Sequence, residues 1–202
     1  MTAAGLVQVA VVIALAASVA AKAVGQRRRG IRPIVLGKAG DGVLARLEPV
    51  SLALLFLWFG AVALHGTGWA SQLFEPRLFQ TRAATTAGAL LALGAIGLQL
   101  TALLHMGRSW RIGIDPGSDQ PLVTTGVFGV SRNPIYLALD LIAAAVFLMS
   151  GSLFFLVSGI VVITGIHVQI RREERFLASA FGDEYERYRA RVARYLGRRE
   201  PE

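Results

Sequence analysis

Residues 132–174 read RNPIYLALDLIAAAVFLMSGSLFFLVSGIVVITGIHVQIRREE, and this stretch decides the fold. Two apolar segments follow one another between a polar motif at 132–136 and an acidic pair, Glu173 and Glu174. Polar clusters of this kind lie at the ends of membrane helices, where the chain meets water. The pattern predicts a membrane hairpin whose two polar ends come together and can enclose a polar ligand.

The rest of the chain is similarly apolar. It has 202 residues, 54% of them hydrophobic, and a mean hydropathy of +0.54. A helix needs about 20 apolar residues to cross a bilayer. Apolar blocks of this length or somewhat shorter occupy residues 3–24, 49–64 with their flanks, 85–104, 134–149 and 152–167. We therefore predict an all-α integral membrane protein with about five transmembrane helices, of which the last two form the hairpin.

The first apolar block resembles a signal peptide, and Ser18-Val19-Ala20 is similar to a cleavage site. However, no positive charge precedes the block, and its apolar run is longer than a usual signal-peptide core. We therefore predict that this block is a retained helix.

The third apolar block contains Gly88, Gly94 and Gly97. Small residues allow the backbones of membrane helices to approach closely. We therefore expect close helix packing along this block.

The distribution of charge predicts the orientation in the membrane. The net charge is +8, and basic residues are concentrated at 27–46, whereas only Arg77 and Arg82 lie between the second and third blocks. The positive-inside rule places the 27–46 loop in the cytoplasm and the N-terminus outside. Counting crossings puts residues 106–133 and the C-terminal tail in the cytoplasm as well. Topology and contacts with anionic membrane lipids explain the basic residues, so we do not expect nucleic acid binding.

The residue types also limit the kinds of catalytic and metal site that the chain can form. The absence of cysteine excludes disulfides, thiolate metal sites and a cysteine nucleophile. His65, His105 and His167 lie near predicted helix ends without metal-ligand spacing, so we expect interfacial hydrogen bonds and no metal site.

The start of the fourth helix is predicted to be an anion site. Asn133 can act as the N-cap, and Pro134 fits the first helical position. Ile135 and Tyr136 then occupy the first turn, where free backbone N–H groups and the positive end of the helix dipole lie beside Arg132. Such a helix start suits a carboxylate or a phosphate.

The C-terminal region predicts a further helix. Gly182 can end the helix that carries the acidic pair, and Asp183 with Glu186 can cap a new one. Apolar and aromatic residues recur at helical spacing at Leu177, Phe181, Tyr185, Tyr188, Val192 and Tyr195. This pattern indicates a cytoplasmic amphipathic helix, which either lies on the membrane surface or folds over the site.

One acidic residue lies inside an apolar block. Arg132, Tyr136 and Asp140 are spaced to share one face of the fourth helix. Because charges at membrane depth are costly, Asp140 calls for a partner. We expect an ion pair with an arginine of the same cluster or of residues 171–175, and direct ligand contact is the alternative.

Three motifs together resemble the isoprenylcysteine carboxyl methyltransferase family of integral membrane methyltransferases, which includes bacterial members and phospholipid amine methyltransferases. These motifs are residues 122–128 (LVTTGVF), 132–136 (RNPIY), and the acidic pair followed by 181–188 (FGDEYERY). The resemblance covers residues 107–196. It implies a membrane scaffold at 1–105, with a cytoplasmic interfacial loop, and a catalytic region at 106–202. It also implies a bacterial plasma-membrane enzyme whose active site faces the cytoplasm.

The resemblance implies that S-adenosylmethionine binds between the last two membrane helices and the C-terminal segment. Arg132 matches the arginine that begins the family's Arg-His-Pro-x-Tyr motif, and Glu173 matches the family's cofactor-binding acid, so these two are the expected catalytic residues. The expected cofactor contacts are Leu122, Val123, Phe128, Asn133, Pro134, Ile135, Tyr136 and Glu173.

The acceptor is less defined than the cofactor. Asn133 and Phe128 stand where other members carry histidine and tyrosine, and Gln169 lies where prenylcysteine methyltransferases carry an arginine for the substrate carboxylate. The resemblance implies a lipophilic or membrane-delivered acceptor, with O-methylation and N-methylation both open. The alternatives are an NADPH-dependent reductase of the sterol-reductase type and a non-catalytic membrane scaffold.

Overall fold

The computed structural model describes residues 1–35, 43–113 and 121–198, and for residues 43–48 only the backbone. Part of the predicted interfacial loop therefore lies outside the described residues. The helices are α1 (Ala3–Arg28), α2 (Val43–Thr67), α3 (Arg82–Met106), α4 (Pro134–Ser150), α5 (Leu153–Phe181) and α6 (Asp183–Arg191). Short 3-10 turns occupy Ser71–Phe74, Gly107–Ser109 and Gly126–Gly129.

The predicted all-α membrane architecture is confirmed. Within the described ranges, four helices are long and apolar enough to cross a membrane, and α4 is a shorter apolar helix. α5 runs well beyond its predicted apolar block, so the acidic pair lies inside a continuous helix. Local rules explain the helix starts, because the hydroxyls of Thr2, Thr81 and Ser152 accept hydrogen bonds from the first turns of α1, α3 and α5.

Helices α4 and α5 form the predicted hairpin. The turn lies at Gly151, whose φ of 62° is left-handed, and a Cβ at this position would overlap the carbonyl of Phe79. The Gly151 carbonyl accepts a hydrogen bond from the N–H of Leu78 at 2.7 Å, and the Ser152 hydroxyl donates to the Phe74 carbonyl at 2.5 Å. The hairpin therefore extends across the bundle to the α2–α3 connection and returns.

The ends of α1 and α3 lie together at the opposite side. The Lys22 ammonium donates to the Leu103 carbonyl at 2.5 Å. The buried Gln26 amide donates to the carbonyls of Arg108 and Trp110, each at 2.8 Å. The basic segment after α1 and the segment after α3 are thus on one side of the bundle, as the charge distribution predicts.

The core runs through the four long apolar helices and the shorter α4, and α4 lies at its centre. Ala138, Ile142, Ala145 and Val146 of α4 are fully buried. In contrast, Leu57, Leu93 and Val161 of the surrounding helices are more than half exposed. Large apolar side chains on the outside of a helical bundle fit a lipid environment.

The three glycines of α3 differ in their surroundings. A Cβ at Gly88 would lie 2.8 Å from the backbone carbonyl oxygen of Ala145 in α4, whereas Cβ atoms at Gly94 and Gly97 would meet nothing within 4 Å. The expected close packing is therefore confirmed at Gly88. It is wrong for Gly94 and Gly97, which face away from the other helices.

Replacing Gly88 by leucine is expected to lower the thermal stability of the detergent-purified protein, because the new side chain has to displace the α4 backbone. Overpacking of this kind costs about 1–3 kcal/mol. Gly94→Leu is the matched control on the same helix and should change the unfolding midpoint little. Equal losses of thermal stability in the two variants would contradict the close approach of α3 and α4.

Candidate functional site

The two polar ends of the hairpin meet directly. The Tyr136 hydroxyl, in the first turn of α4, donates a hydrogen bond to Glu173 Oε1 of α5 at 2.5 Å. Gln169, one turn earlier on α5, donates to the same oxygen at 3.5 Å. Tyr136 and Glu173 are both half-buried. The site thus contains a half-buried carboxylate that is contacted by polar side chains of both helices of the hairpin.

The neighbouring carboxylate, Glu174, is the centre of an ion-pair network. Arg132 lies 3.3 Å from Glu174 Oε1, with 4% of its side chain exposed. Arg194 donates to Glu174 Oε2 at 2.7 Å from Nη2 and at 3.0 Å from Nε. A buried carboxylate with two arginine partners is stabilised only while both the charges and the hydrogen bonds are matched.

Asn133 has a different role from the predicted one. It occupies the N-cap position of α4, and Pro134 occupies the first turn as predicted, but the Asn133 side chain forms no cap hydrogen bond. Its amide instead donates to Glu174 Oε1 at 3.1 Å and to the Arg194 carbonyl at 3.2 Å. The predicted side-chain cap is wrong because a charge-assisted hydrogen bond to a buried carboxylate takes its place.

Helix α6 folds over this network. Tyr185 and Tyr188 are almost fully buried. The Tyr185 hydroxyl accepts a hydrogen bond from Arg132 Nη1 at 3.2 Å, and the Tyr188 hydroxyl donates to the Phe128 carbonyl at 2.7 Å. Burial raises the pKa of both tyrosines, so both hydroxyls keep their protons. Of the two predicted positions for this helix, the one over the site is therefore observed.

The details of α6 differ from the sequence prediction. Its N-cap position is Gly182, with a φ of 50°, and no side chain caps the helix. The predicted capping box of Asp183 and Glu186 is therefore wrong, because Asp183 already lies within the helix. The helix also ends at Arg191, so Val192 and Tyr195 are not part of it.

Residues 192–198 form a segment that the sequence analysis missed. The N–H of Arg132 donates to the Ala193 carbonyl at 3.1 Å, and the N–H of Gly197 donates to the Val130 carbonyl at 2.9 Å. This segment carries Arg194, whose pKa is raised by its hydrogen bonds to Glu174. In the sequence, Gly197 was the residue that could have indicated a turn, because glycine readily adopts a positive φ. In the structure its φ is 119°, which ends any continuing helix.

The other predicted cofactor contacts lie around the same network. Leu122 packs against the buried tyrosines of α6, and Phe128 is 7% exposed. Pro134 is buried, while Val123 and Ile135 are half-buried. The structure thus brings Leu122 and Phe128 against α6, close to the start of α4.

Two of the buried polar atoms that have no hydrogen-bond partner in the described parts of the chain belong to this region: Arg132 Nε and Asp140 Oδ1. The expected ion pair between Asp140 and an arginine is not formed there. Asp140 lies on α4 one turn beyond Tyr136, and the site arginines have other partners. The helical spacing located the correct face of α4, but it did not identify the partner.

Glu173 and Glu174 are expected to differ sharply in their effect on stability. Glu174→Gln removes the charge that compensates Arg132, and breaking a buried ion pair costs about 3–5 kcal/mol. Glu173→Gln keeps a hydrogen-bond acceptor for Tyr136 and should cost less than about 1 kcal/mol. Thermal unfolding in detergent measures both. Equal stability of the two variants would contradict the central role of Glu174.

A comparison with protein families matches one region of the chain. Residues 83–184 match the family model described as Phospholipid methyltransferase. The matched range begins in α3 and ends in the first turn of α6, and so contains the hairpin and both glutamates. The comparison with curated proteins found no match.

Proposed function

The chain belongs to the phospholipid methyltransferase family, and from this premise we propose that it is an S-adenosylmethionine-dependent enzyme. Family membership implies methyl transfer to a lipid-like substrate, and the apolar helices place the enzyme in a membrane. The proposed acceptor is a lipophilic or membrane-delivered small molecule. The proposed location is a bacterial inner membrane, with the basic side of the bundle, and so the site, facing the cytoplasm.

The Tyr136–Glu173 contact is the observation that carries this proposal. It brings an aromatic ring and a half-buried carboxylate together at the open end of the hairpin. S-adenosylmethionine supplies a methyl group on a positively charged sulfur and also bears an ammonium and a carboxylate. Glu173 suits a cationic group of this molecule, and the Tyr136 ring can face a cation.

Arg132 and the start of α4 suit the opposite charge. The Arg132 Nε–H is buried without a partner, and the first N–H groups of α4 lie beside it. A carboxylate here would accept hydrogen bonds from the guanidinium and the helix start. The residues present therefore fit a ligand that carries both charges. We propose Arg132 and Glu173 as the orienting pair, with Leu122, Val123, Phe128 and residues 133–136 as further contacts.

The protein's main task in such a reaction is positioning. Methyl transfer is an in-line displacement, and holding donor and acceptor in line can supply much of the rate enhancement. Helix α6 and its buried tyrosines exclude water from the network beneath. The network around Glu174 fixes Arg132, so the orienting guanidinium is held in place before a ligand arrives.

Isothermal titration calorimetry with S-adenosylhomocysteine tests the proposal on detergent-purified protein. We expect binding by the wild type and at least about tenfold weaker binding by Glu173→Gln, because a hydrogen bond to a charged group contributes about 1.5–3 kcal/mol. Glu184→Gln, an exposed glutamate on α6, is the matched control and should bind normally.

The outcomes separate the alternatives. No heat from the wild type would exclude S-adenosylmethionine as the cofactor, and NADPH binding instead would favour a reductase. Binding unchanged in Glu173→Gln would remove that residue from the cofactor site. If neither cofactor bound, the remaining alternative would be a non-catalytic membrane scaffold.

A further inference from the structure

The connection between α2 and α3 displays large apolar side chains that the proposed function does not use. It consists of residues 68–81 and lies at the end of the bundle opposite the basic segments. Trp69 is 84% exposed, Leu73 is 70% exposed and Leu78 is 53% exposed. Exposed apolar surface beyond scattered single residues marks a site of interaction with a protein or a membrane. A partner that covers these three side chains is therefore expected.

The α2–α3 connection is fastened to the turn of the α4–α5 hairpin. The N–H of Leu153 donates to the Pro76 carbonyl at 3.0 Å. Ser152, itself fully buried, donates through its hydroxyl to the Phe74 carbonyl. The buried Phe74 ring also stacks on Phe155 of α5, with ring centroids 5.2 Å apart. The exposed side chains are thus displayed from a backbone whose position is fixed by the hairpin.

The length of α4 sets the depth of this turn in the membrane. α4 begins at Pro134, beside the polar network, and its 17 residues rise about 25 Å. The hydrocarbon core of a bilayer is about 30 Å thick. The turn at Gly151 and Ser152 therefore lies short of the far headgroups, at a level where lipid cannot satisfy backbone polar groups. The backbone of the α2–α3 connection supplies the missing partners, so it reaches into the membrane to this level.

The charges of the α2–α3 connection suit this position. Its sequence contains one acid and one base, Glu75 and Arg77, so it has no net charge. Arg77 Nε lies 3.1 Å from Glu75 Oε1, and both side chains are partly exposed. The pair can stay at headgroup level, where tryptophan is also enriched in membrane proteins.

The apolar surface of the α2–α3 connection continues the lipid-facing surface of the bundle. Phe154 of α5 is 40% exposed, and its ring packs edge-on against Phe74 of the connection with centroids 5.2 Å apart. Val157, next on α5, is 54% exposed, and Leu57 of α2 is 70% exposed. Lipid that covers these helices therefore reaches the connection without a break.

We propose that the α2–α3 connection is inserted into the bilayer interface, with Trp69 and Leu73 in contact with phospholipid, and closes the gap beyond the short hairpin. The partner of this surface is the lipid bilayer itself. An aqueous loop would leave the three apolar side chains in water and the hairpin turn beside lipid. The inference concerns the end of the bundle away from the candidate site, so it does not depend on methyl transfer.

Tryptophan fluorescence of the full-length protein in lipid nanodiscs tests this inference. Trp58 and Trp110 are buried, so subtracting the spectrum of Trp69→Phe isolates the emission of Trp69. Two quenchers are compared: phosphatidylcholine brominated near the ester end of its acyl chains, and aqueous iodide. We expect the brominated lipid to remove most of the Trp69 emission and iodide to remove little of it.

Two reference positions calibrate the measurement, each made in the Trp69→Phe protein. Leu57→Trp lies on the exposed apolar face of α2 and gives the quenching expected for full lipid contact. Gln80→Trp replaces an exposed polar residue of the same connection and should be quenched more by iodide than Trp69 is. Identical quenching at positions 69 and 80 would contradict the selective insertion of Trp69 and Leu73.

A second probe reports on Leu73 independently. The chain contains no cysteine, so Leu73→Cys can be labelled at a single position with a nitroxide. Oxygen, which concentrates in lipid, should relax this nitroxide more strongly than a water-soluble nickel chelate does. Stronger effects of iodide and nickel than of brominated lipid and oxygen would show an aqueous loop and overturn the inference. Protection of Trp69 from both quenchers would overturn it too, in favour of a protein partner such as a second copy of the chain.

Discussion

The pairing of one buried carboxylate, Glu174, with two arginines is the constraint on which the site depends. Glu174 lies near the end of α5, and its partners come from the residue pair before α4 and from the segment after α6. Because an uncompensated charge in this position is costly, all three segments must be in place together. Glu173, its neighbour, points to a different face of α5 and contacts Tyr136. The acidic pair therefore divides into a structural member and a member suited to a ligand.

The hairpin arranges its polar residues by depth. The Tyr136–Glu173 contact lies at the end that a water-soluble cofactor would reach, and Asp140 lies one helical turn towards the bilayer interior. Under the proposed function, the two substrates would approach from different media and meet between these levels. Fully buried Ile142 and Val146 continue the same helix below Asp140. The polar side chains that α4 contributes near the site thus lie in its first two turns.

Local rules predicted most of the fold from the sequence. Apolar length located the helices, Pro134 marked the start of α4, and Gly182 marked the end of α5. The errors arose where a tertiary contact competes with a local one. Asn133 donates to Glu174 and does not cap its helix, and Arg194 reaches the site from a turn that spacing alone assigned to a helix. Sequence spacing identifies which residues share a face of a helix, but it does not show which of several possible partners each side chain contacts.

The place of Arg194 in the chain makes the site depend on the segment after α6. Arg132 and Asn133 precede Glu174 by about 40 residues, whereas Arg194 follows it by 20, so the partners of one carboxylate come from both sides of it in the chain. The backbone contacts of Ala193 and Gly197 hold this segment against residues 130–132. Removing residues 192–198 would therefore leave the hairpin with its apolar core but take from Glu174 one of its two arginines.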